Sequence, residues 1–153
     1  MKRITVNAED CAGCRQCEMV CSFQQSGKFS PSISRVRVLK DDRYGLDYPI
    51  MCRQCDDCPP LNSCPVEALF LSNGVIKVNE QTCIGCGKCV ELCNYEAVHL
   101  YQGKAIICDQ CNGEPACVNR CPTNALDFSE VDSFEEHASD ALESLKVRWE
   151  MND

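Results

Sequence analysis

The segment CIGCGKCVELC at residues 83–93 sets four thiols at spacings of two, two and three residues, and CAGCRQCEMVC at 11–21 repeats that spacing. Thiols this dense either pair as disulfides or hold metal. The chain has 16 cysteines among 153 residues, a level that would indicate a disulfide scaffold in a short secreted chain. The opening MKRITVNAED, however, shows neither the apolar stretch nor the small-residue cleavage site of a signal peptide. No stretch approaches the ~18 apolar residues of a membrane span. The expectation is a cytoplasmic protein with reduced thiols, in which clustered cysteines bind metal. A formal net charge of −8, made more negative by any thiolates, argues against nucleic acid as a partner, because a phosphate backbone requires a basic footprint.

The elements that position these thiols repeat with them. The cysteines fall into four groups of four: Cys11, Cys14, Cys17, Cys21; Cys52, Cys55, Cys58, Cys64; Cys83, Cys86, Cys89, Cys93; and Cys108, Cys111, Cys117, Cys121. CPVEALFLSNGVIKV at 64–78 aligns with CNYEAVHLYQGKAII at 93–107, and CPTNALDF at 121–128 keeps the Ala-Leu pair. After each fourth cysteine the Glu-Ala-Leu character predicts one or two turns of helix, with Pro65 and Pro122 at the first helical position, where a missing N–H costs nothing. Then follow a short strand, Asn73-Gly74 or Gln102-Gly103, and a second strand. Asn-Gly between β-formers is a strong hairpin signal and Gln-Gly a weaker one. Units this small bury little apolar surface, so bound metal must supply what the core does not.

Zinc ordinarily takes two well-separated ligand pairs and closes at four-coordination. A Cys-x2-Cys-x2-Cys-x3-Cys run instead places three thiols on one tight loop, where each reaches a different iron of a 4Fe–4S cube. Gly13, Gly85 and Gly87 supply the loop's tolerance for positive φ. The run resembles that of bacterial ferredoxins, in which the fourth cysteine ligates the other cluster of a pair. That resemblance implies four 4Fe–4S clusters with exchanged fourth ligands. Cys52, Cys55 and Cys58 would share one cluster with Cys93, and Cys83, Cys86 and Cys89 one with Cys64. Cys11, Cys14 and Cys17 would join Cys121, and Cys108, Cys111 and Cys117 would join Cys21. The expected fold is α+β: two interleaved ferredoxin-like halves of short helices and hairpins. Residues 51–99 would be inserted into an outer half made of 1–50 and 100–130, with an amphipathic helix over 131–153.

The order of the four motifs, across residues 4–128, resembles the iron–sulfur subunits of molybdenum and tungsten oxidoreductases of the dimethyl-sulfoxide-reductase type. The tract CSFQQSGKFSPSISRVRVLKDD at 21–42 is similar to the one following the first motif in electron-transfer subunits of tungsten aldehyde oxidoreductases. The resemblance implies a non-catalytic subunit in an anaerobic setting. It would relay electrons between a tungsten- or molybdenum-pterin catalytic subunit, oxidising an aldehyde, and ferredoxin or a flavin/NAD subunit. A free polyferredoxin shuttle, or a partner of carbon monoxide dehydrogenase, hydrogenase or benzoyl-CoA reductase, is the alternative; a zinc-stabilised interaction module is a further one. Two departures stand out. Five residues separate Cys58 from Cys64, which leaves two readings of Cys58: a ligand, or a bystander beside a three-iron or carboxylate-assisted cluster using Asp56 or Asp57. Groups one and three carry Ser22 and Asn94 where proline follows the last cysteine of the other two.

Nothing in the chain has the form of a catalytic site: it has no Gly-rich phosphate loop and no triad. His99 and His137 sit at no ligand spacing, and His99 falls on a predicted strand. Arg35, Arg37, Lys40 and Arg43 form a basic run in which Val36 and Val38 alternate as on a half-buried strand; it reads as a solvated strand face or a docking edge. In the C-terminal segment, Phe134, Ala138, Ala141, Leu142, Leu145 and Trp149 recur at helical spacing behind a Ser133/Glu136 capping box. That stripe either packs on the protein's own sheet or assembles the chain, with a catalytic subunit or head-to-tail into a linear array.

Overall fold

In the computed structural model, residues 1–132 and 137–151 are described. Among the described residues, four antiparallel strand pairs carry the chain, none of them joined to another. Strand β1 (Lys2–Val6) pairs with β8 (Leu126–Glu130), Ile4 opposite Phe128, and so ties the first residues to the end of the last cysteine motif. Between them lie three hairpins: β2 (Arg37–Asp41) with β3 (Leu46–Ile50), β4 (Leu69–Ser72) with β5 (Val75–Val78), and β6 (His99–Tyr101) with β7 (Lys104–Ile106).

The two hairpins expected from Asn73-Gly74 and Gln102-Gly103 are present. All four turn residues have positive φ, the conformation whose twist matches that of the flanking strands. Gln102 adopts it without the side-chain help that makes asparagine the commoner choice.

The short helices lie elsewhere than the sequence predicts. They precede the fourth cysteine rather than follow it: α2 (Pro59–Asn62), α3 (Lys88–Glu91) and α4 (Ala116–Asn119). After Cys64, Cys93 and Cys121 the chain makes a tight turn, closed by Glu67 N–H to the Cys64 carbonyl at 3.2 Å, Glu96 to Cys93 at 3.0 Å and Asn124 to Cys121 at 3.4 Å. Glu67, Glu96 and Asn124 sit at left-handed φ, which ends any helix at once. Pro65 and Pro122 therefore serve as the second residue of a turn, where fixed φ is equally suited. The first motif is different. Helix α1 (Gln16–Ser26) runs straight through Cys21, and buried Ser22 returns its hydroxyl to the Met19 carbonyl at 2.9 Å. A proline at 22 would block that continuation. Ser22 permits this continuation, but the missing proline is not sufficient for it, since Asn94 follows Cys93 and α3 still stops at Glu91.

The apolar core is thin and strung between the motifs: Ile4, Val36, Tyr48, Met51, Ile76 and Val98 are its most enclosed members. Every residue of β3 is buried, because a last helix, α5 (Ala138–Arg148), lies on it. Ala141, Leu142 and Leu145 of α5 are buried. Lys146 bonds Asp41 at 2.8 Å and lies over the Tyr44 ring, and Arg148 pairs with Glu9. The helix expected over 131–153 is therefore the shorter Ala138–Arg148, and its stripe is spent on the chain's own hairpin. Val147 and Trp149 are left exposed. Phe134 and the Ser133/Glu136 capping box lie outside the described residues. Among the described residues, no helix is long and apolar enough to cross a membrane.

Truncating Leu145 to alanine is expected to destabilise the isolated chain by about 2–5 kcal/mol, the range for a buried leucine. Anaerobic thermal unfolding measures the loss. An unchanged midpoint would show that this stripe contributes nothing within the chain.

Candidate metal centres

Each cysteine motif opens on the same backbone device. The residue just before the second cysteine, Gly13, Gln54, Gly85 or Gln110, has φ between 54° and 67°. This left-handed kink curls the loop so that its N–H groups point at sulfur: the Gln54 amide lies 3.4 Å from Cys52 Sγ, and the Gln110 amide 3.4 Å from Cys108 Sγ.

Glycine occupies the position where there is no room for more. A Cβ on Gly85 would lie 2.2 Å from the Gly103 carbonyl oxygen, and one on Gly13 would lie 2.1 Å from Asp47 Oδ2. Glutamine occupies it where the side chain is used. Buried Gln54 donates to the Cys108 carbonyl at 2.7 Å and accepts from the Ile76 amide at 2.7 Å, fastening the second motif to the fourth and to the β4–β5 hairpin. Buried Gln110 reaches the Lys2 carbonyl at 3.4 Å. These two residues were not singled out from the sequence, although Cys-x-Gln-Cys occurs in both motifs, at 52–55 and 108–111.

The fourth cysteine of three motifs sits in a nest of amides made by its turn. Ala68 N–H lies 3.2 Å from Cys64 Sγ, and Ala97 N–H 3.4 Å from Cys93 Sγ. Burial alone would push the Cys64 thiol up, but the backbone N–H groups of Leu69, Val66, Ala68 and Glu67 outweigh it and hold the thiol below its ordinary value. Cys121 is held down likewise, by the Leu126 amide and by Thr123. Cys21, inside α1, instead receives the Arg35 amide at 3.3 Å.

The structure brings the cysteines together across motifs rather than within them. Cys52, Cys55 and Cys58 line a cavity of about 260 Å³ together with Cys93. Cys83, Cys86 and Cys89 line another with Cys64, and Cys11, Cys14 and Cys17 a third with Cys121. Cys108, Cys111 and Cys117 lie within electrostatic reach of Cys21. Cys58 is buried in its shell. Asp56 instead pairs with Arg3 at 2.6 Å, and Asp57 accepts from Asn62 at 3.2 Å.

These shells suit a polynuclear cationic group. Burial, with neighbouring thiols adding to it, pushes Cys17 and Cys108 up to about 12 and raises Cys52 and Cys117 well above the ordinary thiol range. Such sulfurs become thiolates only against a strong positive charge, and a bound metal supplies one. Among the described residues no three His, Cys, Asp or Glu side chains converge tightly enough for a single ion; the thiols surround spaces instead of points.

The other candidates are used inside the chain. His99 stands on β6 as expected, its Nε2 3.2 Å from the Ser32 carbonyl. His137 stacks on Tyr95 with ring centres 4.9 Å apart. The basic run is neither a bare solvated face nor a free edge. Arg35 bonds Asp109 at 2.6 Å and Arg37 donates to the Glu96 carbonyl, and these bonds tie the run to the cysteine motifs; Lys40 bonds Asp47 at 2.6 Å across the β2–β3 hairpin and reaches the Gly13 carbonyl at 3.5 Å, while Arg43 stays exposed.

The 4Fe-4S dicluster domain family matches residues 45–131 of the chain. The chain is 40% identical over 122 residues to the polyferredoxin-like subunit of an aliphatic sulfonate oxidoreductase of Pyrococcus furiosus, covering 77% of this chain and 70% of that one. It is 37% identical over 148 residues to YsaA of Escherichia coli K12, a protein named for electron transport, covering 88% and 93%. Among solved structures it is similar to a chain of the BamBC active-site complex of benzoyl-coenzyme A reductase, with a TM-score of 0.52 and 25% identity over 97% of this chain and 91% of that one. The chain belongs to the 4Fe-4S dicluster domain family. It is an iron–sulfur protein of the electron-transfer kind.

Gly85→Ala and Gly87→Ala separate the two demands on the loop. Both residues have positive φ, but a Cβ at Gly87 meets nothing within 4 Å. Gly87→Ala should cost about 1–2 kcal/mol of backbone strain and keep its iron. Gly85→Ala adds a collision with backbone and should lose iron preferentially, as read by iron content and visible absorption after anaerobic loading.

Proposed function

We propose that the chain is the electron-transfer subunit of an oxidoreductase complex and holds four 4Fe–4S clusters in a row. In this reading Cys11, Cys14, Cys17 and Cys121 form one shell, and Cys108, Cys111, Cys117 and Cys21 the next. Cys52, Cys55, Cys58 and Cys93 form the third, and Cys83, Cys86, Cys89 and Cys64 the last. The observation that carries it is the crossed gathering of the thiols: in three separate cavities the fourth cysteine comes from a different motif. Bound clusters supply one-electron chemistry, tuned by charge, hydrogen bonds to sulfur and exposure.

The order of the row follows from which thiols feel one another. Cys17 acts on Cys117, and Cys108 acts on Cys52, so the second and third shells are internal. At the two outer shells a cysteine is exposed, Cys14 at one and Cys86 at the other. Electrons would enter at one of these and leave at the other. The pairing of β1 with β8 and the packing of α1 on α4 support an outer half made of 1–50 and 100–130, with 51–99 inserted.

The partner at one end is a catalytic oxidoreductase subunit, a tungsten- or molybdenum-pterin enzyme oxidising an aldehyde by the likeness of residues 21–42. At the other end stands ferredoxin or a flavin/NAD subunit. The similarity to subunits named for aliphatic sulfonate oxidoreductase and benzoyl-coenzyme A reductase supports a catalytic partner of this general kind. Purification of the native complex from its source, with metal analysis and mass measurement, tests it: a second, larger subunit carrying tungsten or molybdenum is expected. A chain that always purifies alone would make it a free shuttle.

Iron and acid-labile sulfide should correspond to four clusters per chain. About eight irons per chain in a well-loaded anaerobic preparation would mean that two shells are empty. Cys93→Ser should damage the centre of Cys52, Cys55 and Cys58 and leave that of Cys83, Cys86 and Cys89 in place. Cys58→Ala should alter the same centre as Cys93→Ser in the paramagnetic resonance spectrum.

A further inference from the structure

The third shell differs from the others in the charge built around it. Arg3 lines its cavity, with a side chain only 4% exposed. Its Nη1 donates to the Asp132 carbonyl at 3.1 Å and its Nη2 to Asp56 at 2.6 Å. Its Nε is buried and has no hydrogen-bond partner among the described residues. A buried N–H without a partner costs about 1–3 kcal/mol, so a native fold keeps one where an acceptor arrives. The acceptors that a loaded shell presents are sulfurs.

A second buried guanidinium, that of Arg53, lines the same cavity and is positioned by the Tyr48 hydroxyl and the Tyr95 ring. Of the cavity's two carboxylates, Asp56 offsets part of the Arg3 charge through its 2.6 Å bond, from an exposed position where water weakens it, and Asp57 is exposed and screened. At the other shells the nearby cations are matched by carboxylates, exposed or committed elsewhere. Arg15 and Lys40 are paired with buried Glu18 and Asp47 beside the first shell, and Arg35 with Asp109 beside the second. At the last shell the cations are lysines: exposed Lys88, and Lys104, which is committed to the Cys83 carbonyl at 2.6 Å.

We propose that Arg3, with Arg53, gives the centre held by Cys52, Cys55, Cys58 and Cys93 the highest reduction potential in the chain, with the Arg3 Nε–H donating to a sulfur of that centre. Positive charge and donated hydrogen bonds both favour the form with one more electron. The row is then not a monotonic slope: an electron arriving from either end settles at an internal site, one step from the end marked by Cys86. This rests on the reading that these four cysteines share one cluster. Arg3 is a positioning and tuning residue that acts on the centre's potential, with no ligating role.

The test is a redox titration of the loaded full chain, followed by paramagnetic resonance, with the centre assigned as the one altered by Cys58→Ala. Arg3→Met keeps the volume and removes charge and donor. It should lower the reduced-to-oxidised ratio of that centre about tenfold at fixed ambient potential, equivalent to 59 mV for one electron, at unchanged iron content. Arg3→Lys, which restores charge without the Nε–H, should recover part of the shift. Asp56→Asn changes an exposed side chain and decides the matter even if Arg3→Met loads poorly: it leaves the Arg3 charge uncompensated and should raise the same potential. If Asp56→Asn leaves it unmoved, or if another centre is the first to be reduced in the wild type, the inference is overturned. If no single centre answers to Cys58→Ala, the shared-cluster reading fails and the inference with it.

Discussion

Sixteen thiols concentrated in a chain with a thin apolar core cannot all be buried and ionised without compensating positive charge. That constraint governs the rest of the structure. Where the thiols are deepest, at Cys17, Cys52, Cys108 and Cys117, burial drives them toward the protonated form. Where the fourth cysteine of a motif sits in a turn, at Cys64 and Cys121, backbone amides draw it toward the thiolate. The group of Cys11, Cys17 and Cys121 thus combines thiols that burial holds protonated with one that backbone amides draw toward the thiolate, whereas burial raises Cys21.

The backbone meets this constraint with one repeated device, a left-handed residue before the second cysteine of each motif. The alternation of glycine and glutamine at that position has a physical division of labour. Gly13 and Gly85 stand where Asp47 and Gly103 leave no space for a Cβ. Gln54 and Gln110 accept the strained φ and use buried amides to join segments distant in sequence. The glycine loops belong to the two motifs that expose a cysteine, at Cys14 and Cys86; the glutamine loops belong to the two motifs that the buried Gln54 amide fastens to each other.

Charge is unevenly distributed among the cysteine groups. The overall excess of acid is not spread evenly: the arginines at 35 and 37 are consumed as cross-links, and buried Arg3 and Arg53 gather at one shell. Helix α5 completes the body by covering β3, which would otherwise expose a strand containing Tyr48 and the proline at 49. The described part of a stripe with the right period for assembly is in this way largely taken up at home, with Trp149 and the neighbouring Val147 left exposed.

The sequence by itself determined the four motifs, the two inner hairpins and the C-terminal helical stripe. Those features are local: thiol spacing, Asn-Gly or Gln-Gly between β-formers, and a 3.6-residue period each act over a dozen residues or fewer. The crossed pairing of the fourth cysteines was expected only through resemblance to ferredoxins, since spacing within a motif says nothing about which distant sulfur shares its cavity. The short helices were misplaced because Glu-Ala-Leu has helical propensity, yet at Glu67 and Glu96 amide donation to Sγ and left-handed φ outweigh the few tenths of a kcal/mol that propensity offers. Only the tertiary structure decided that Gln54 ties the second motif to the fourth, that Arg3 is buried with an unused N–H, and that α5 faces inward. Each of these depends on contacts between residues tens of positions apart, and no local pattern encodes which of several possible partners the chain will bring to them.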